Sequence, residues 1–226
     1  MRLELYNFDA KLPDGVLLAL AITGNLDDDG QRHTGFVVRD FFDNSQLFHL
    51  GRNNYYRQEV LSKSYSYLLV PALEPEVANA VISLLVTVLQ NTHGNVPYSI
   101  AWDQEEYFDS DGRLVKTDPI DGFTCATFVL EILKRQGMEL VDRSTWPLSD
   151  ENKNWQKNIL PLLGLSIESL MAQLEAIGKF PRIRPEEALG AGHLFRGDPL
   201  PFNVVQPVSR NVLDEMKRLR QMPPAA

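Results

Sequence analysis

Apolar and polar positions along this chain fall into segments with two periods, one near two and one near 3.6. Val16–Ile22 (VLLALAI), just after the Asp14-Gly15 turn, is a continuous apolar run of strand length and predicts a strand covered on both faces. His33–Asp40 and Gln46–Leu50 flank the turn-rich Phe41–Ser45 and read as a β-hairpin. Tyr65–Val70 alternates and stops at Pro71, which predicts another strand. Pro75 then suits the first turn of a helix over Glu76–Gln90, whose apolar residues cover most of its circumference, so deep packing is expected.

The best bounded element lies within Gly122–Gly137 (GFTCATFVLEILKRQG), where Phe128, Val129, Ile132 and Leu133 form a one-sided helical stripe. Asp121 or Thr124 can cap its N-terminus, Lys134 and Arg135 suit the carbonyl end, and Gly137 can take the left-handed position beyond it. Further on, Ile167–Ile177 reads as a helix capped by Ser166 and closed by Gly178. Phe202–Gln206 predicts a short last strand, and Ser209–Gln221 a helix with Leu213, Met216 and Leu219 inward. Gly94–Asp121 is a long acidic connection holding Tyr98, Trp102, Tyr107 and Phe108, the composition of a binding loop, with Asp109–Gly112 as a plain turn inside it. The Asp27–Asp29 insertion reads as a solvated loop, Pro223–Ala226 as a fraying tail, and Trp146 and Trp155 as structural residues.

Composition narrows the picture. With 226 residues, 44% of them hydrophobic, the chain is sized for one domain over 1–226, with 138–226 as a mostly helical C-terminal extension. A net charge of −8 without a Lys/Arg cluster argues against nucleic-acid and anionic-membrane surfaces, and disfavours acidic substrates. The longest apolar run, Val77–Leu89, is broken by Asn79, Ser83 and Thr87 and is shorter than the roughly 20 residues that span a bilayer, so no membrane span is expected. A single cysteine makes no internal disulfide, and the first residues lack an uninterrupted apolar segment of the secretory kind, which together suggest a cytoplasmic setting.

That cysteine, Cys125, sits in the first turn of its helix, where unpaired amides and the positive end of the dipole favour thiolate and are expected to lower its pKa. It is either a prepared nucleophile or a small buried hydrophobe. The hairpin contributes two histidines. If its strands pair with partner numbers summing to 82, His33 and His49 are directly opposite, and any even sum keeps them on one face. Two imidazoles and a thiolate could also hold zinc, a minor alternative beside a site without metal or cofactor. His93 and His193 read as exposed or capping histidines outside the site. Phosphate-loop, HExxH and GxSxG motifs are absent.

The order of these segments resembles the circularly permuted NlpC-like papain superfamily, which includes the lecithin:retinol acyltransferase-like proteins and bacterial relatives of the YiiX type. The resemblance rests on Asp14-Gly15-Val16 leading a strand, on His33-Thr34-Gly35-Phe36-Val37, on Leu47-Phe48-His49-Leu50, on the passage Leu68–Leu89 and Gly94–Tyr98, and on Cys125-Ala126-Thr127-Phe128-Val129. It covers about the first two-thirds of the chain. Relatives often carry Asn, Asp or Tyr before the cysteine and Ser or Glu after it; Thr124 and Ala126 stand there in this chain. The resemblance implies an α+β, papain-like fold, an antiparallel sheet packed against the cysteine-bearing helix with extra C-terminal helices. It also implies a cysteine hydrolase in which Cys125 attacks a carbonyl, His33 is the general base and His49 orients His33, with Tyr98 and Thr124 as candidate substrate or oxyanion contacts. Amide cleavage of a small peptide-like substrate through an acyl-enzyme is the leading expectation. Acyl transfer or thioester cleavage on lipid-like substrates uses the same residues, and a non-catalytic binding domain is the third reading of the same fold.

Overall fold

The computed structural model describes residues 2–221 apart from 8–10, 27–29, 41, 43, 104–105 and 116–117; the Asp27–Asp29 insertion and the Pro223–Ala226 tail lie outside the described residues. Within them the strands are β1 (Leu5–Asn7), β2 (Leu18–Gly24), β3 (Arg32–Arg39), β4 (Ser45–Arg52), β5 (Tyr55–Val60) and β6 (Ser66–Leu68). They form one antiparallel sheet in the order β1-β6-β2-β3-β4-β5. The helices are α1 (Pro75–Thr92), α2 (Cys125–Lys134), α3 (Asp150–Ile159), α4 (Ile167–Glu175), α5 (Pro185–Leu194) and α6 (Phe202–Gln221), so the fold is α+β.

The apolar run of β2 is buried on both faces, as its sequence demands. Leu18, Leu20 and Ile22 join the large core shared with α1, α2, α5 and α6, while Ala19 and Ala21 face a smaller cluster with Leu12, Val37, Leu47 and Tyr67. The large core runs without a break from Leu3 to Leu219, so residues 138–221 share it with the sheet and are more than an appended extension. Helix α1 is less deeply packed than its composition suggests. Ala78, Val81, Leu85, Val88 and Thr92 make a single buried stripe, and its other apolar residues are half-buried against the core.

Three expectations are overturned. Phe202–Gln206 is the start of α6 rather than a strand; Val205, Ser209, Val212, Met216 and Leu219 recur at helical spacing on its buried side, and Leu213 is only partly covered. The Gly-rich segment around Gly190 and Gly192 is helix α5, and His193 lies buried in its last turn rather than exposed. Tyr107 and Phe108 belong to the core, Phe108 stacked on Phe123 and Tyr107 tilted against it, and not to an open binding loop. The Asp109 turn is a plain one, its carboxylate accepting from the amides of Asp111 and Arg113. His93 ends α1 in the left-handed conformation. Among the described residues no helix is long and apolar enough to cross a membrane.

Candidate active site

The hairpin register sums to 84, not 82: Phe36 pairs with Phe48, Val37 with Leu47 and Arg39 with Ser45. The parity is even, so His33 and His49 still share a face, but His49 comes opposite Gly35 and the imidazoles meet diagonally. Glycine is required there. A Cβ on Gly35 would lie 2.6 Å from the Phe48 oxygen and 2.8 Å from the His49 Cβ. The outcome is a direct contact, His33 Nε2 to His49 Nδ1 at 2.8 Å, with the rings edge to face.

A residue that sequence reading passed over extends the pair. Glu59 on edge strand β5 places Oε2 3.4 Å from His49 Nε2, and its Oε1 accepts from the Tyr55 hydroxyl at 2.8 Å. The carboxylate favours a proton on His49 Nε2, which makes His49 Nδ1 the acceptor and His33 Nε2 the donor. The lone pair of His33 is then on Nδ1. Both imidazoles are neutral at ordinary pH: burial, aided by repulsion from His49, pushes His33 down to about 3, and burial also lowers His49 against the opposing pull of Glu59.

The β3–β4 ladder stops at Phe36 among the described residues, and α2 packs against β3, its first residue reaching the Thr34 amide. Thr124 is its N-cap in a capping box: its hydroxyl accepts from the Thr127 amide at 3.2 Å, and the Thr127 hydroxyl accepts from the Thr124 amide at 2.8 Å. Thr124 thus caps the helix and also lines the cavity that holds Cys125. Gly137 closes the far end at φ 78°, as expected. The Cys125 thiol meets the Thr34 amide of β3 and the amides of Ala126 and its own residue, with the Arg182 cation nearby. These all favour thiolate, yet burial outweighs them and pushes the thiol up to about 11, opposite to the direction expected from the helix start alone.

Tyr98 is placed by the segment beside Phe123, where the Phe123 amide donates to the Pro97 carbonyl and the Ser99 amide to the Phe123 carbonyl. Gln173 of α4 and Asn53 also hold the Tyr98 backbone. Its hydroxyl stands within hydrogen-bonding reach of the Cys125 amide and thiol, and burial raises its pKa strongly.

Cys125, His33, His49 and Tyr98 all line one cavity of about 320 Å³. Tyr65 packs edge-on to His33 and is raised by burial and by the nearby Cys125. No hydrogen bond joins Cys125 to His33 among the described residues. The opposite wall comes from the C-terminal helices: Trp155 and Ile159 of α3, and Arg182 and Ile183 just before α5. Trp155 is therefore a cavity residue and not merely structural. The zinc alternative finds no support, since the facing nitrogens of His33 and His49 are used on each other, and no group of three His, Cys, Asp or Glu among the described residues could hold a metal ion.

The thiol's response to pH follows directly. Only thiolate is alkylated quickly, so iodoacetamide labelling of native Cys125 is expected to rise about tenfold per pH unit through neutral and alkaline pH, with its midpoint above that of the unfolded chain, near ~8.5. A native midpoint below that of the unfolded control would contradict a thiol governed by burial. Comparison with protein-family models, curated proteins and solved structures finds no match for this chain.

Proposed function

We propose that this chain is a cysteine hydrolase of the permuted NlpC-like papain kind that cleaves an amide bond through an acyl-enzyme. One observation carries the reading: a single cavity holds the chain's only cysteine, at a helix N-terminus, together with a hydrogen-bonded histidine pair backed by a carboxylate.

At rest the pair is thiol and neutral imidazole. As the sulfur attacks a substrate carbonyl, His33 Nδ1 takes the thiol proton, in a contact that tightens in the substrate complex. His49, polarised by Glu59, accepts from His33 Nε2 and stabilises the imidazolium that forms. The Cys125 amide and the Tyr98 hydroxyl, already close to each other, donate to the developing oxyanion. Collapse expels the amine, which takes the proton from His33, and water then releases the acid, regenerating the thiol.

The burial that keeps the thiol protonated also favours a competing reading, a non-catalytic binding domain. A fluorogenic activated-acyl probe, in peptide-like and long-chain versions, separates them. Stoichiometric acylation of Cys125 followed by turnover, faster with the peptide-like probe, is the expected result. Faster reaction with the long-chain probe moves the function to lipid-like acyl groups, and absence of acylation with both removes the enzyme.

A further inference from the structure

Two donor groups in the cavity wall, a guanidinium and an indole N–H, have no hydrogen-bond acceptor among the described residues. Arg182 is only 8% exposed, and its guanidinium carbon lies 3.8 Å from the centre of the Trp155 ring. No hydrogen bond or ion pair reaches its side chain among the described residues. The carboxylates around it are engaged elsewhere: Glu186 with Arg32 at 2.7 and 2.8 Å, Glu187 with the Trp146 indole and the Arg184 amide at 3.0 and 2.8 Å, and Glu151 with Arg184. The second donor is the Trp155 indole Nε1, buried and unpartnered. Both residues line the same cavity as Cys125 and Tyr98.

A buried indole N–H without an acceptor is costly, and a mostly buried guanidinium with no hydrogen-bonded carboxylate is only partly compensated, unless a ligand completes them. A carboxylate meets the requirement. It is planar, its two oxygens match the guanidinium fork, and it has lone pairs to spare for an indole N–H. The chain's net charge of −8 works against polyanions at long range, so the selectivity must come from this enclosed contact. A cavity of about 320 Å³ admits a small molecule or a short peptide end and little more.

We propose that Arg182 and Trp155 form a carboxylate-binding subsite beside Cys125, so that the acyl substrate is a small one carrying a free carboxylate close to the bond that is cut. The subsite deepens the hydrolase reading and rests on it for the chemistry, but binding can be tested alone. Full-length protein carrying Cys125→Ala is titrated with N-acetyl-alanyl-alanine and with its C-terminal amide, following the indole N–H signals of the three tryptophans, with that of Trp155 assigned by Trp155→Phe. The acid is expected to shift the Trp155 signal and to bind about ten- to a hundredfold more tightly than the amide. Arg182→Gln should abolish that preference. Trp155→Phe, which keeps a ring for the guanidinium to stack on, should reduce it.

Equal binding of acid and amide, binding of neither, or a preference that survives Arg182→Gln overturns the subsite. If Arg182→Gln does not fold, Arg182→Lys, which keeps the charge and loses the fork, must weaken the acid more than the amide. Selective acid binding without any acylation of Cys125 would end the hydrolase reading while leaving the subsite; acylation without acid selectivity would end the subsite alone.

Discussion

His33→Ala is expected to slow acylation of Cys125 by a peptide-like activated probe by about 10²- to 10⁴-fold, the usual contribution of a positioned base. The argument depends on the protonation states at rest. A cysteine that stored its thiolate would need a base mainly to hold an ion pair, and its loss would appear as a raised thiol pKa. Here the thiol is held up to about 11 and His33 down to about 3 by their shared burial, so the proton has to move while the carbon–sulfur bond forms. Loss of His33 therefore falls on the acylation rate, whereas alkylation by iodoacetamide at pH 10, which draws on the thiolate that hydroxide generates and not on a proton taken by His33, should change little. Glu59→Gln provides the contrast. Glu59 is half exposed and acts through His49, so its loss should cost less, and it should alter the pH profile of acylation rather than abolish acylation. Equal acylation rates for wild type and His33→Ala would sink the assignment of His33 as base.

The sequence shows the parts of this site that local patterns encode. Cys125 at the start of a bounded helix, the hairpin and the shared parity of its histidines all follow from periodicity and capping residues, and the structure keeps them. Glu59 was hidden because Arg57, Gln58, Glu59 and Val60 of edge strand β5 are not buried on either face, so alternation is lost. The only signal was the Asn53-Asn54 pair between two runs, with Asn54 at φ 55°, the chemistry of a tight hairpin turn. Helix α5 was hidden by Gly190 and Gly192, which weaken a helical pattern. Both are there for contact: a Cβ on Gly190 would approach the Ser209 amide of α6 to 3.2 Å, and one on Gly192 would approach Val70 and Leu20 at 3.1 and 3.2 Å. Trp155 and Arg182 come from separate segments whose meeting no local period records. The direction of the Cys125 pKa follows the same division. The helix start, which is local, favours thiolate, and the burial supplied by distant segments reverses it.

Glu186→Ala is expected to destabilise the fold by about 3–5 kcal/mol, a large share of the roughly 5–15 kcal/mol that holds such domains together. Arg32, the residue before His33, is joined to Glu186 in the first turn of α5 by two parallel contacts, Nε to Oε2 at 2.7 Å and Nη2 to Oε1 at 2.8 Å, with both side chains almost wholly buried. A third nitrogen, Nη1, donates to the Asn25 carbonyl at 3.0 Å. The pair ties the start of β3 to the N-terminus of α5, whose dipole also favours the carboxylate. Removing Glu186 alone takes the bidentate carboxylate from a buried guanidinium, and the weakened compensation of that charge, more than the lost attraction, sets the cost. The double change Arg32→Met with Glu186→Leu removes both charges at similar volume and should recover most of the loss. Urea unfolding checks this through the midpoint at unchanged slope. A single variant within about 0.5 kcal/mol of wild type, or a double variant no better than the single, would show that the ion pair does not hold the two elements. The double variant also bears on function. If it folds while the acylation rate of Cys125 falls, the pair contributes the alignment of His33 with the cavity, separately from the stability of the sheet around it.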